Sequence, residues 1–285
     1  MLDAAERQAV ADRLWAAQRD RAPIEPLTAS HPGIDVVDAY EIQLLNIRRR
    51  LAAGARVYGH KVGLSSPVMQ RMMGVDEPDY GHLLDDMVLS EHTPIPAGAY
   101  CYPRVEVEIG YVLGASLPGE GCTEADVLAA TEYVVPSIEL IDSRIEDWRI
   151  GLADTVADNA SSAGVILGSA RVRPTELDLA GIEAVLYEVG PRSGDGGPGG
   201  GPGGGPGGGS GGGAAEVARG TTAAVLGNPT TAVAWLARKV ASFGVKLEAG
   251  HVILPGSCTR AVDVRPGQVF RAEFTGLGSV TARFE

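Results

Sequence analysis

The sequence predicts an α+β protein, mostly β-strand with helices lying outside the sheet. Three observations carry this expectation: helical periodicity across residues Leu2 to Ala53, a following series of short apolar runs separated by Gly, Pro and Asp, and no visible strand–helix–strand repeat of the doubly wound kind.

The N-terminal stretch divides into two helices. "AAERQAVADRLWAAQRD" places Val10, Leu14 and Ala17 along one stripe, and "VVDAYEIQLLNIRRRLAAGA" repeats the pattern with Val37, Tyr40, Leu44, Ile47 and Leu51 before Gly54 stops it. Between them "APIEPLTASHPG" reads as a proline-punctuated loop, in which Thr28, Ser30 and His31 serve as turn residues. Strands are expected in "RVYGHKVGL", "MVLSE", "RVEVEIGYVL", "VVPSIELID", "AGVILG" and "AVLYEVG", then in "HVILPG", "VFRAEF" and "SVTARFE". Two helices interrupt them: "TEADVLAATEYV", opened by Thr123 as N-cap, and "NPTTAVAWLARKVASFG", closed by Gly244.

Residues Gly190 to Gly213 are nearly all Gly, Pro or Ser, with "PGGGPGGGPGGGSGGG" repeating every four positions. Collagen needs a period of three, and a phosphate loop needs a Lys followed by a helix. The segment therefore reads as a flexible, dispensable surface excursion between two adjacent strands, since loop closure grows only slowly unfavourable with length.

Composition narrows the function. The 285 residues are 45% hydrophobic with a net charge of −12, which disfavours a nucleic-acid surface and leaves no basic stripe for an anionic membrane. The opening "MLDAAERQAVADRLW" lacks the apolar core of a signal peptide, and no run approaches the roughly 18 apolar residues of a membrane span, so a soluble, cytoplasmic protein is expected. Cys101, Cys122 and Cys258 lie far apart in no metal-like spacing and read as packing residues.

Chemistry concentrates in "PRVEVEIGYVLG". Alternation puts Val105, Val107 and Ile109 on one face of a strand and Glu106 and Glu108 on the other, about 7 Å apart. By itself this leaves a solvated face and a ligand face equally open. Glu139, set in the apolar run "YVVPSIELIDSR", favours the second. Three acids on two otherwise apolar strands repel and are driven toward protonation unless a cation neutralises them. Carboxylate ligands with no nearby Cys or helical His pair favour Mg²⁺ or Mn²⁺ over Zn²⁺, with part of the shell open to substrate or water. A glycosidase pair must flank the scissile bond, whereas neighbours on one strand face approach from the same side.

Lys61, in the apolar and glycine-rich "VYGHKVGLSS", is expected to lose solvent, a setting that can lower its pKa. "GVDEPDYGHLLDDM" offers Asp76, Glu77, Asp79, Asp85 and Asp86, among which spacing does not choose. His31, His60, His82, His92 and His251 form no sequence cluster and read as structural or exposed.

The order of "GHKVGLSS", "GVDEPDYGHLLDDM", "PRVEVEIGYVL", "PSIELIDSRIEDW", "DTVADNASSAGVILG", "AAVLGNPTTAVAWLARKVASFG" and "FTGLGSV" resembles the 2-keto-4-pentenoate hydratase family of the fumarylacetoacetate hydrolase superfamily, which acts in meta-cleavage degradation of aromatic and steroid rings. The resemblance covers nearly the whole chain. It implies a mixed β-roll core with peripheral helices, divided as an N-terminal helical region at 1–72 leading into the active-site strand and a catalytic core at 73–285 that carries the insertion at 190–213. It implies that Glu106, Glu108 and Glu139 hold the metal, that Lys61 and Asp79 sit in the active site, and that Ser161 contacts the substrate carboxylate. The turn "LPGSCTR" departs from many relatives and is expected to line the pocket. The implied reaction is hydration of a 2-hydroxy-2,4-dienoate by a homo-oligomer, with a downstream aldolase or a related decarboxylase as an associated enzyme. A 4-oxalocrotonate-type decarboxylase is the alternative. A C–C bond hydrolase would need a His and Glu pair, for which His31 is placed, and a non-catalytic metal-binding partner subunit sits poorly with Lys61 and Asp79 beside the acids.

Overall fold

The computed structural model describes residues 1–66, 70–71, 75, 77–190 and 213–285. Helix α1 (Ala4–Asp20) starts at a capping box between Asp3 and Glu6 and buries Val10, Ala11, Leu14 and Ala17. A single turn, α2 (Leu27–Ser30), leads to α3 (Val36–Ala52), capped in the same way by Asp35 and Asp38. Arg7 forks onto Asp38 Oδ1 through Nε at 2.9 Å and Nη2 at 2.7 Å, tying α1 to α3. Of the expected α3 stripe, Tyr40, Leu44 and Ile47 are buried, but Val37 and Leu51 are exposed. Both lie in terminal turns, and the buried arc is instead completed by Ala39, Ile42 and Gln43.

The strands are β1 (Val57–Gly63), β2 (Asp79–Leu84), β3 (Val88–Leu89) and β4 (Arg104–Leu113), followed by helix α4 (Glu124–Ala130) and β5 (Thr131–Ile141). Then come α5 (Leu152–Ala157), β6 (Ser162–Leu167), β7 (Glu183–Val189), β8 (Ala214–Thr221) and α6 (Pro229–Ala241). Strands β9 (Val252–Leu254), β10 (Val262–Asp263), β11 (Val269–Phe274) and β12 (Gly278–Arg283) end the chain.

Helix α5 and strand β10 have no counterpart among the expected elements, and two further elements differ from expectation. Strand β2 arises from the acid-rich segment read only as a source of carboxylates; all six of its residues are buried, so it shows none of the alternation that marks a half-exposed strand. The helix expected through Val134 stops at Ala130, because Thr131 to Val134 pair with β4 (Leu113 with Thr131, Tyr111 with Val134) and begin β5. β-branched and aromatic side chains suit that ladder.

The strands form a mixed eight-stranded sheet in the order β2-β1-β9-β4-β5-β6-β3, with β10 also paired to β4, and a four-stranded antiparallel sheet β12-β11-β7-β8. Pairs β1–β9 and β3–β6 are parallel; the rest of the larger sheet is antiparallel. Strands β11 and β12 pack against β5, so the two sheets enclose a continuous core, the β-roll that the resemblance implies. Val189 pairs with Ala214 across β7 and β8, which confirms the adjacency expected around the glycine-rich stretch; residues 191–212 lie outside the described residues.

Candidate active site

The central pair β4–β5 builds the site. Val105, Val107 and Ile109 are fully buried on one face of β4. On the other, Glu106 stands directly opposite Glu139 of β5, and Glu108 stands opposite Ser137, whose hydroxyl donates to the Glu108 carbonyl at 2.9 Å. Register therefore converts two carboxylates on one strand and one on its neighbour into a cluster in which one oxygen from each lies within 4.8 Å of the others. Glu108 and Glu139 are wholly buried, while Glu106 opens to a cavity of about 140 Å³.

The cluster is chemically unfinished. Glu108 Oε2 accepts the Gly256 N–H at 2.8 Å, but among the described residues Glu108 Oε1 and both Glu139 oxygens accept no hydrogen bond. Burial lifts the Glu106 carboxyl to about 7, against the pull of Lys61. Burial, reinforced by Glu139 and Glu106, drives Glu108 well above the carboxylate range, and burial raises Glu139 with Lys61 opposing. Converging, desolvated, oxygen-only acceptors with spare lone pairs fit a hard divalent cation, which would restore the charge balance.

Lys61, on β1, is 2% exposed; its Nζ lies 3.5 Å from Glu139 Oε2 and donates to the Ala160 carbonyl at 2.9 Å. Burial alone would lower its pKa, as its setting in the sequence suggests, but Glu139, Asp79, Glu106 and Glu108 together outweigh burial and raise it. This corrects the sequence expectation: desolvation was legible, and the surrounding carboxylates were not. Asp79, on β2, pairs with Gly63 across the β1–β2 ladder. Its Oδ2 accepts the Thr155 hydroxyl at 2.7 Å, and Oδ1 is unpartnered among the described residues. Burial raises the Asp79 pKa, with Lys61 opposing. A Cβ at Gly63 would stand 2.2 Å from Asp79 Oδ1 and 2.9 Å from Lys61 Nζ, so a side chain there would push both groups aside. Ser161 lines the same cavity, 3% exposed, its hydroxyl likewise unpartnered.

Lys61, Asp79, Glu106 and Ser161 thus share one cavity, with Glu108 and Glu139 behind it. Four of its lining residues, Leu64, Trp148, Ala160 and Ser161, hold left-handed backbone at φ 49°, 55°, 50° and 55°, and such strain in non-glycine residues gathers at functional sites. Of the other acids near Asp79, Glu77 pairs with Lys239 at 2.7 Å, Asp85 accepts the Arg56 N–H, and Asp86 pairs with Arg50; Asp76 lies outside the described residues. His31 contacts Ser30 and does not line the cavity. His60, His82 and His251 do meet, with ring centroids 4.7 Å (His60–His82) and 5.4 Å (His60–His251) apart, a grouping invisible in the sequence.

Sequence reasoning missed Thr155, Arg104 and Trp148 in the cavity wall. Thr155 lies within the quoted "DTVADNASS", and Arg104 continues the Glu106–Glu108 face by the same alternation, so both had a signal. Trp148 closes the quoted "PSIELIDSRIEDW", but a left-handed turn that no periodicity marks carries it into the cavity wall, with the Arg104 guanidinium 4.5 Å above its ring. The "LPGSCTR" turn acts differently from expectation: its Gly256 braces Glu108, and the cavity takes Ala261, one residue beyond it.

Comparison with known proteins identifies the family. The fumarylacetoacetate hydrolase C-terminal family model matches residues 72–285, and the chain belongs to that family. Over its full length it is similar to 2-keto-4-pentenoate hydratase from Paraburkholderia xenovorans, 42% identical over 98% of this chain and 95% of the relative. It is also similar to 2-oxo-hept-4-ene-1,7-dioate hydratase from Escherichia coli, 39% identical over 100% of both chains. Among solved structures, 4-oxalocrotonate decarboxylase from Pseudomonas putida, complexed with magnesium and adipate, superposes with a TM-score of 0.87 at 35% identity, covering 100% of this chain and 99% of that one.

Proposed function

We propose that the protein is a metal-dependent hydratase that adds water to a 2-hydroxy-2,4-dienoate, with 2-hydroxypenta-2,4-dienoate going to 4-hydroxy-2-oxopentanoate as the simplest case. The observation that carries this reading is the buried Glu106–Glu108–Glu139 cluster, with orphaned oxygens, opening onto a cavity whose other polar groups include Lys61, Asp79 and Ser161. Relatives named as hydratases at about 40% identity over nearly the whole chain support it.

Glu106, Glu108 and Glu139 would hold Mg²⁺ or Mn²⁺. When bound, such a cation supplies a Lewis acid for the carboxylate and 2-oxygen of the substrate, where negative charge develops as enol becomes ketone. Lys61 and Asp79 move the protons. One transfers the proton between the dienol oxygen and C5; the other handles the proton of the water whose oxygen adds at C4, as C3 takes up the proton that completes the addition. The Ala160 carbonyl aims the Lys61 ammonium, and the Thr155 hydroxyl fixes Asp79 Oδ2, which leaves Oδ1 free to exchange a proton. The unpartnered Ser161 hydroxyl binds the substrate carboxylate. On this reading region 1–72 contributes Lys61 and region 73–285 the other groups. The cytoplasmic setting, the homo-oligomer, the association with a downstream aldolase or related decarboxylase and a place in aromatic or steroid catabolism belong to the same proposal. No helix among the described residues is long and apolar enough to cross a membrane.

Loss of dienoate absorbance with and without Mg²⁺ tests the reading: Glu106→Gln should abolish turnover by weakening metal binding, and near-normal turnover in stringently metal-free buffer would refute it. The second reading, a 4-oxalocrotonate-type decarboxylase, is favoured by the 0.87 TM-score of that enzyme. Release of CO₂ from 2-oxohex-3-enedioate, against water addition to the dienoate, separates the two.

A further inference from the structure

Lys61 is oriented by its hydrogen bond to the Ala160 carbonyl, and that carbonyl faces the site because the backbone turns unusually. Asn159, Ala160 and Ser161 hold φ values of 55°, 50° and 55°, three consecutive left-handed residues without a glycine. For L-residues each such conformation is unfavourable by roughly 1–2 kcal/mol, so the turn does not hold itself.

Its supports come from two sides. Asn159 brackets β2, its Oδ1 accepting the His82 N–H at 2.8 Å and its Nδ2 donating to the His82 carbonyl at 2.9 Å. On the other side stands Arg144, just past the end of β5. Its backbone N–H and Nε donate to the Asp158 carboxylate at 3.0 and 2.5 Å, and its Nη2 donates to the Asp158 carbonyl. Its Nη1 donates to the carbonyls of Asp142 at 2.7 Å and Ser162 at 3.5 Å. One guanidinium therefore grips the chain immediately before and immediately after residues 159–161. Both Arg144 and Asp158 are 4% exposed. A buried ion pair is a poor stabilising device compared with an apolar pair of similar volume, whereas a planar fork suits the task of fixing several acceptors at once.

We propose that Arg144 is a positioning residue for the reaction: by holding Asp158 and the carbonyls of Asp158 and Ser162, it keeps 159–161 left-handed, aiming the Ala160 carbonyl at Lys61 and the Ser161 hydroxyl into the cavity. The inference rests on the proposed roles of Lys61 and Ser161.

Arg144→Lys retains the charge beside Asp158 but cannot grip both flanking carbonyls. The expected result is a folded protein with unchanged Mg²⁺ affinity and a kcat lowered about 10- to 100-fold, the scale of a small misplacement of a reacting group. With lysine labelled by heavy nitrogen at Nζ, the Lys61 resonance should move while those of Lys239 and Lys246 stay. Undiminished kcat in folded Arg144→Lys, or a lowered kcat with the Lys61 resonance unmoved, overturns the proposal. If that variant fails to fold, the double variant Arg144→Met with Asp158→Leu removes the pair without leaving a buried charge. It is expected to fold and lose kcat, and full activity in it overturns the proposal. Wild-type turnover in Lys61→Ala would defeat the proposed function and this inference together. An inactive Lys61→Ala beside a fully active Arg144→Lys would defeat the role of Arg144 alone.

Discussion

The carboxylate cluster makes the metal-free protein sensitive to pH in a particular direction. Burial lifts Glu106 from 4.5 to about 7. Between those values the folded metal-free protein binds a proton that the unfolded chain does not, so this group stabilises the fold below pH 4.5 and the contribution is lost as pH rises through 7. At 1.36 kcal/mol per unit the full shift is worth at most about 3 kcal/mol. Glu106 opens to the cavity, where solvent screens it, so about 1–2 kcal/mol is expected. For a chain of this size that is a fall of roughly 2–6 °C in melting temperature between pH 5 and 7.5. Glu108 and Glu139, raised for the same physical reason, act in the same direction. A divalent cation should reverse the loss, adding about 2.7 kcal/mol at a hundred times its dissociation constant, and should add more at pH 7.5 than at pH 5, where it competes with protons. Thermal melts in EDTA and in Mg²⁺ at both pH values measure this. His82, held neutral by burial with a pKa near 4, works in the opposite sense because its charged form is favoured in the unfolded chain, so the difference between wild type and Glu106→Gln isolates the carboxylate effect. The reasoning fails if that difference does not change with pH, or if Mg²⁺ stabilises wild type equally at both pH values.

Three further outcomes are expected. Lys61→Ala should lower kcat by about 10²–10⁴-fold while the protein still binds Mg²⁺, measured by absorbance kinetics and calorimetry. Gly256 sits at φ +123°, and a Cβ there would stand 2.0 Å from Ser65 Oγ. Gly256→Ala should therefore destabilise the fold by about 1–3 kcal/mol in urea melts and weaken Mg²⁺ binding, because the Gly256 N–H braces Glu108. Replacing residues 191–212 with a two-residue Asn-Gly turn should leave kcat and melting temperature unchanged, since β7 and β8 already meet at Val189 and Ala214; a loss of activity would assign the insertion a role.

How far the site could be read in advance depended on what each residue's neighbours in the chain report. Glu106 and Glu108 were legible because they alternate with the apolar Val105, Val107 and Ile109, which sets them on the opposite face of the strand, and Glu139 because an acid inside an apolar run stands out. Lys61 was legible as a desolvated cation, but its raised pKa comes from groups on β2, β4 and β5. Strand β2 was not legible at all: buried on both faces, it has no period, and only its pairing with β1 reveals that Asp79 faces Lys61 rather than solvent. The resemblance singled out Asp79 from five nearby acids; residue spacing did not.

By itself, then, the sequence determined which residue types could serve as ligands and proton carriers, the division into helical and stranded regions, and the family. Alternation and composition are local properties, and local properties survive reading in one dimension. Tertiary structure alone decided that Glu106 lies across from Glu139, that Gly256 completes Glu108 from a turn 148 residues away, and that Arg144 and Asp158 clamp the left-handed turn facing Lys61. Those choices rest on strand register and on hydrogen bonds that buried polar groups must make with whatever the fold brings near.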